Sequence, residues 1–226
     1  MLCPEDVGAD TPFAGAGRLA KLEGDNWGRS NYACNGDNIH ADKGPIDPAK
    51  LGIDAQYLLG PYDRIGVLRI NTRTRIGQVS DGTSHTILAG EIRIGVSEFD
   101  RRGVWAMGAS GASNLTSHGS GGDCNGPNPA NELSDDIVGC QDLMNKYGLR
   151  ATLTLERMTC CEGCPSNQAA PRSRHAPGGV HVAMCDGSVH WINDDINTSG
   201  PWGQCCSVWD RLIASRDGTP VQLDSN

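Results

Sequence analysis

Arg172-Ser-Arg-His175-Ala-Pro-Gly-Gly-Val180-His-Val-Ala-Met184-Cys-Asp186-Gly187-Ser-Val-His-Trp-Ile192-Asn193 is the stretch from which the fold can be read. Two β-prone runs flank Asp186-Gly187, and an Asp-Gly pair between alternating apolar residues is a strong hairpin signal. A two-residue type I′ turn there pairs Cys185 with Ser188, Met184 with Val189, Ala183 with His190 and Val182 with Trp191. Side chains alternate across a strand. That register puts Val180, Val182, Met184, Val189 and Trp191 on a core face. It puts His181, Ala183, Cys185, Ser188 and His190 on a wetter one.

The totals narrow the class. The chain has 226 residues, only 38% hydrophobic, with 30 glycines. A single domain over 1–226 is expected, with a small core and long loops. A net charge of -8 argues against nucleic acid as a partner, since nucleic acid selects basic surfaces. No apolar run approaches the roughly 18 residues of a membrane span, and no signal peptide is visible at Met1.

Ten cysteines stand at Cys3, Cys34, Cys124, Cys140, Cys160, Cys161, Cys164, Cys185, Cys205 and Cys206. An even number in Gly/Asn/Pro-rich surroundings reads as a disulfide framework in an oxidising compartment. Cys3–Cys34 is one expected pair. Cys124–Cys140 is a second, inside a Cys-rich insertion over 123–170, where a bridge would stabilise by roughly 3 kcal/mol. The remaining six allow about 15 pairings. The rival is a structural metal held by Cys160, Cys161 and Cys164 with Cys205 and Cys206. Adjacent cysteines seldom chelate one ion comfortably, and a second C-x-x-C or a paired His is missing. Cys185 as a nucleophile needs a free thiol and an activating base, so a disulfide is its expected fate.

Elsewhere, Leu19–Leu22 and Asn31–Cys34 read as short strands or turns, and Gly66–Ile70 alternates like a strand. In Asp81-Gly82-Thr-Ser-His85-Thr-Ile-Leu-Ala-Gly90-Glu91, Asp81 is expected to cap a helical turn, with Thr86–Ala89 extended. Asp81 and Glu91 as a carboxylate pair for acid/base work or calcium is the rival reading, but no EF-hand spacing is present. Arg101–Met107 begins a strand and opens a Gly-rich loop containing His118. Ser134 is placed to cap a helix over about 135–147, with Ile137, Cys140, Met144 and Tyr147 on one face and Gly148 at C′. Asp194-Asp195 reads as a solvated turn. Ser207 and Asp210 form a capping box for a short helix whose Trp209 is expected to pack against the hairpin.

Tests for catalytic machinery are negative. Hydrolase elbows, P-loops, dinucleotide fingerprints and H-E-x-x-H are absent, so no enzyme activity and no cofactor are expected. His175, His181 and His190 gather near the hairpin, with His181 and His190 as diagonal neighbours about 7–8 Å apart. A metal site or metalloenzyme there competes with the plainer reading of exposed strand histidines.

Several blocks resemble one family, the pilin-like family catalogued as domain of unknown function 1559 and abundant in planctomycetes. Its C-terminal signature is His, nine residues, Asp-Gly. His175, Gly178, Gly179, Asp186 and Gly187 match it, with ten residues intervening here because Ala176 precedes Pro177. Leu2-Cys-Pro4, Asn31-Tyr32, Asp81-Gly82-Thr-Ser through Glu91, Arg102-Gly-Val-Trp105, Gly126-Pro-Asn, Asp135-Asp-Ile137 and Gln168–Arg172 are similar to its other blocks, in order. Family members usually carry a prepilin peptide, a hydrophobic helix and roughly a hundred further residues before Leu-Cys-Pro; none of these precedes it here.

The resemblance implies an α+β, β-rich, pilin/pseudopilin-like globular head. It would have an antiparallel sheet, long loops, a short C-terminal helix and its signature hairpin at 172–193. It implies an envelope or extracellular location and a structural or interaction role with other envelope or pilin-like subunits. The alternative is a glycan- or solute-binding module using Trp27, Trp105 or Trp202 as stacking surfaces.

Overall fold

The computed structural model describes residues 2–8, 10–15, 24–36, 66–68, 73–116, 126–130, 134–164, 168–198, 207–219, 221 and 223. Within them the fold is α+β. Its strands are β1 (Tyr32–Asn35), β2 (Ile87–Glu91), β3 (Asn114–Leu115), β4 (Gly179–Met184) and β5 (Val189–Asn193). They form one sheet in the order β3-β1-β2-β4-β5. All neighbours are antiparallel except β1 and β3, which run parallel. The sheet is therefore mixed where a wholly antiparallel one was expected. The helical elements are a 3-10 turn at Ile76–Gln78, a π-helical turn at Asp142–Lys146, α1 (Arg150–Leu155) and α2 (Val208–Ile213).

The β4–β5 hairpin forms, but in a different register from the one expected. Val180 pairs with Ile192, His181 with Trp191, Val182 with His190 and Ala183 with Val189. The loop has three residues, Cys185-Asp186-Gly187. It is closed by Gly187 N–H to Met184 O at 3.0 Å and Met184 N–H to Ser188 O at 2.8 Å. Only Gly187 takes a positive φ, +88°; Asp186 does not. This is a type I turn followed by a left-handed glycine, the usual three-residue hairpin. Asp186 favours it by accepting from Ser188 N–H at 2.9 Å and Ser188 Oγ at 2.7 Å. A one-residue slip turns a whole strand over. Ile192, not Trp191, therefore enters the core, and His190 leaves the face of His181.

The hairpin's inner face makes the main core. Ile87, Val180, Val182, Met184 and Ile192 pack with Trp209, Leu212 and Ile213 of α2. The Ser207–Asp210 capping box forms as read, with Asp210 N–H to Ser207 Oγ at 3.1 Å and Ser207 N–H to Asp210 Oδ2 at 2.9 Å. Trp209 is 1% exposed, so the expected docking of α2 on the hairpin holds. Asn35 joins the pieces by donating to Ile87 O at 2.7 Å and Ile213 O at 2.9 Å.

The two Asp-Gly motifs meet. Cys185 N–H donates to Thr86 O at 2.9 Å and Asp186 N–H to Thr83 O at 3.0 Å, so the hairpin tip rests on the turn that launches β2. Gly82 stands in that turn at φ +100°. Asp81 is buried and is no helix cap. Its carboxylate accepts from the backbone N–H of Asp217 at 2.6 Å and of Gly218 at 2.9 Å, fastening the C-terminal turn.

Other expectations are corrected. Cys140 bonds to Cys160 and Cys161 to Cys164, which removes Cys140 from Cys124 and removes the zinc reading of that motif. Cys3, Cys34 and Cys185 are free thiols, so the Cys3–Cys34 pair is absent and Cys185 forms no disulfide. Cys124, Cys205, Cys206, His118, Trp202 and Leu19–Leu22 lie outside the described residues. Residues 66–68 form a bend rather than a strand, and Val104 makes only an isolated bridge to Arg29. The helix expected over 135–147 is confined to a turn after Gly139, and α1 follows it unforeseen. Ile137, Cys140, Met144 and Tyr147 still share one cluster with Leu143, Leu153 and Met158, and Gly148 takes φ +68° at the end of the turn.

Ser134 fails to cap because its hydroxyl serves a buried charge network. Arg102, Asp100, Asp135 and Arg172 are each 2% exposed or less. Asp135 Oδ2 accepts from Arg102 Nη1 at 2.9 Å and from Arg172 Nε at 2.9 Å. Arg172 Nη2 reaches Asp135 Oδ1 at 3.1 Å and Ser134 Oγ at 2.8 Å, while Nη1 reaches Pro129 O and Arg157 O. All five guanidinium donors are used, the condition under which a buried arginine is tolerated. Burial pushes the Asp100 carboxyl upward, but the adjoining Arg102 guanidinium outweighs it and holds the pKa below the ordinary value. Asp135→Ala leaves Arg172 without a carboxylate while Arg102 keeps Asp100 at 2.7 Å, so urea unfolding should show a loss of about 3–5 kcal/mol; a loss under 1 kcal/mol would mean the network is dispensable.

Candidate functional site

The outer face of the sheet carries a row that the slipped register assembles. Tyr32 pairs with Glu91, and His181 with Trp191. Pairing of Gly90 with Val182 brings Glu91 beside His181. The His181 N–H donates to Glu91 Oε2 at 2.8 Å, and His181 Nδ1 lies 3.5 Å from Glu91 Oε1.

His175 comes over this row from the segment leading into β4. Arg172 anchors that segment internally, and its N–H also donates to Glu91 O at 2.9 Å. Ser173 N–H donates to Asn128 Oδ1 at 2.8 Å, and His175 N–H to Ser173 Oγ at 3.2 Å. Gly179 admits the turn that follows. It sits at φ +149°, and a Cβ there would collide with the Trp191 ring and Ile192 O. Gly178, at φ +119°, leaves room for the Asp194 carboxylate in the same way.

The N-terminal segment closes the site. Cys3 N–H donates to Asn31 Oδ1 at 2.9 Å. Asp6 accepts from Asn31 Nδ2 and Ile94 N–H, each at 2.7 Å. These bonds lay Cys3 and Glu5 against His175. Cys3 Sγ is 3.8 Å from His175 Nε2, which is also 3.1 Å from Glu91 Oε1. On the far side of the ring, Nδ1 is 3.1 Å from Glu5 Oε2. Trp191 stands edge-on to both imidazoles, at centroid distances of 4.8 Å from His181 and 5.9 Å from His175. Glu91 is 5% exposed, His175 17% and His181 46%.

Of the three histidines singled out in the sequence, the fold brings together His175 and His181. His190 pairs with Val182 on the opposite face and bonds Ser188 Oγ at 3.0 Å. Asp81 and Glu91 serve different partners, so they make no carboxylate pair. Cys185 lies apart, and burial with the neighbouring Asp186 pushes its pKa up to about 11, which keeps it a thiol at neutral pH. Cys3, Glu5 and Trp191 are the members that sequence reasoning missed. Cys3 and Glu91 stand in blocks already singled out, yet they lie 172 and 84 positions from His175. A polar cleft of about 490 Å³ adjoins the cluster, lined by Arg93, Asn128, Arg157, Arg174, His175 and Asp194 among others.

A family model described as Protein of unknown function (DUF1559) matches residues 1–199. The chain belongs to this family. No curated protein and no solved structure matches it. Every member of the His175 cluster falls inside the span shared with the DUF1559 family.

The protonation of His175 is set by this geometry. Partial burial disfavours the imidazolium, but hydrogen bonding and charge from Glu91 and then Glu5 outweigh it, so its pKa is raised above 6.5. The contacts therefore stabilise the fold at pH below the ordinary imidazole value, and that contribution fades as pH rises through the raised value. A histidine NMR titration should place the His175 midpoint above 6.5, and Glu91→Gln should bring it down. An unshifted midpoint that ignores Glu91→Gln would refute the assignment.

Proposed function

We propose that the chain is a non-enzymatic structural or interaction subunit of an envelope or extracellular, pseudopilus-like assembly, and that its partners are other pilin-like subunits. The observation that carries this reading is the β5 edge. Among the described residues β5 ends the sheet, and it displays Val189 at 65% and Trp191 at 37% exposure. An apolar edge strand offers unpaired backbone groups and side-chain anchors to another chain, a feature that solitary proteins normally blunt. Two disulfides support an oxidising location. No helix among the described residues is long and apolar enough to cross a membrane, so attachment would run through partners or through other segments. A photo-crosslinking residue at position 189, introduced in the native host, should yield adducts with subunits of the same family. Adducts confined to unrelated proteins, or none at all, would refute the reading.

One observation favours the glycan alternative. Trp105 is 62% exposed, with its indole edge seated on Gly28, where a Cβ would come within 3.1 Å of Nε1. Trp27 instead packs against Phe13 and Val104 and offers less free ring. Stacking on an exposed indole is a common way to hold a sugar ring. A glycan array showing a defined hit lost in Trp105→Ala would establish this binding, and an array blank for the wild-type chain would end it.

A further inference from the structure

The outer-face cluster has more in it than a histidine–glutamate hydrogen bond. We propose that Cys3, Glu91, His175 and His181 form a binding site for a divalent transition metal of the zinc class. The site stands independently of the subunit reading.

The donor atoms are already gathered. Cys3 Sγ, a Glu91 carboxylate oxygen and a His175 ring nitrogen lie within 4.8 Å of one another. The separations of 3.8 Å from Sγ to Nε2 and 3.1 Å from Nε2 to Oε1 are close to ligand–ligand edges. Bond lengths of about 2.3 Å to sulfur and about 2.0–2.1 Å to nitrogen or oxygen make the edges of a tetrahedron about 3.3–3.6 Å long. His181 Nδ1, 3.5 Å from Glu91 Oε1, lies outside that mutually close trio, and its half-exposed imidazole turns toward the ion to supply the fourth donor. Closing Cys3, Glu91 and His175 from within 4.8 Å of one another to such edges takes side-chain shifts of up to about 1 Å, and His181 adds a rotation of its ring.

The supporting groups argue more strongly than the donors. A metal-binding histidine nearly always gives its other ring N–H to a carboxylate or carbonyl, which aims the free nitrogen at the ion. Glu5 occupies that position on His175, 3.1 Å from Nδ1, while Nε2 points at Cys3 and Glu91. Glu91 is braced likewise, because its Oε2 accepts from the His181 N–H at 2.8 Å and leaves Oε1 for the cluster. A cluster built only to hold the N-terminal segment would need neither a thiol aimed at the ring nor a carboxylate behind it.

Chemistry selects the metal class. One thiolate, two imidazoles and one carboxylate suit zinc, cobalt or copper; calcium and magnesium prefer an all-oxygen shell. Trp191 walls the two imidazoles on one side, and His181 remains the most accessible donor. The competing fate of Cys3 is oxidation with Cys34, which stands on the same outer face, paired with Ala89.

The test uses the full, untagged chain with its Cys140–Cys160 and Cys161–Cys164 disulfides intact and Cys3 free, stripped with chelator and titrated with Co²⁺ and Zn²⁺. One Co²⁺ per chain is expected, with thiolate-to-cobalt charge-transfer absorption and tetrahedral visible bands, both displaced by one equivalent of Zn²⁺. Cys3→Ser should abolish the charge-transfer band, and Cys34→Ser and Cys185→Ser should leave it intact. Glu5→Gln, which removes only the support behind His175, should weaken affinity roughly 10–100-fold. His181→Ala, at an exposed position, tests the fourth donor without threatening the fold. Absence of stoichiometric binding overturns the proposal. So does a cobalt spectrum indifferent to Cys3→Ser, or a Cys3–Cys34 disulfide found by mass mapping of the natively isolated protein.

Discussion

The carboxylate of Asp135 lies between the guanidinium groups of Arg102 and Arg172, and the architecture depends on that arrangement. Asp135 sits in the 134–137 segment, Arg102 in the turn after Asp100, and Arg172 at the entry to β4. None of these three places belongs to the sheet. Two cations and two anions, Asp100 being the second, cancel in a region where each is 2% exposed or less. Desolvating such groups is costly, and the cost is offset only because nearly every donor finds an acceptor. The network is demanding in geometry, so it specifies one arrangement of loops that apolar contacts alone would leave loose.

This explains how a chain with 38% hydrophobic residues holds so much irregular structure. The apolar interior is divided among separate small clusters rather than gathered in one. The largest sits between the hairpin and α2. The second lies under the π-helical turn and α1, closed by Cys140–Cys160. Between them run charged and polar ties. Arg29 donates to the backbone carbonyls of Thr11, Ser97, Asp100 and Arg102, and Arg93 joins Asp6 to Glu156. Buried arginines here do work that a larger protein would leave to aliphatic packing.

From the same network the site inherits its position. Arg172 is pinned inside, its backbone N–H is bonded to Glu91 O, and three residues later His175 emerges over the outer face. There it meets Glu91 and His181 from the sheet and Cys3 and Glu5 from the N-terminal segment. The charge network thus connects the interior to the one place where thiol, imidazole and carboxylate converge among the described residues. The hairpin loop matters equally. With a two-residue turn, Trp191 would face the core and His190 would sit near His181. With the three-residue loop, Trp191 borders the histidines and Ile192 fills the core.

Local pattern carried much of this into the sequence. The Asp-Gly pair announced a hairpin, the Ser207–Asp210 box announced α2, and ordered blocks announced the family. Each of these signals lies within a few residues, where turn chemistry, capping and alternation act. Register, disulfide partners and the site did not follow, for a shared reason. The hairpin register turned on one φ angle at Asp186, decided by hydrogen bonds to Ser188 and by docking on Thr83 and Thr86. Cys140 found Cys160 because the charge network folds the 134–137 segment against the 158–161 segment. Cys3 reached His175 through Asn31 and Asp6, in contacts that span the chain. The sequence by itself determined which residues could turn, cap, pair or carry charge. Only the tertiary structure decided which of them meet, because long-range satisfaction of buried polar groups chose one arrangement among many that were locally acceptable.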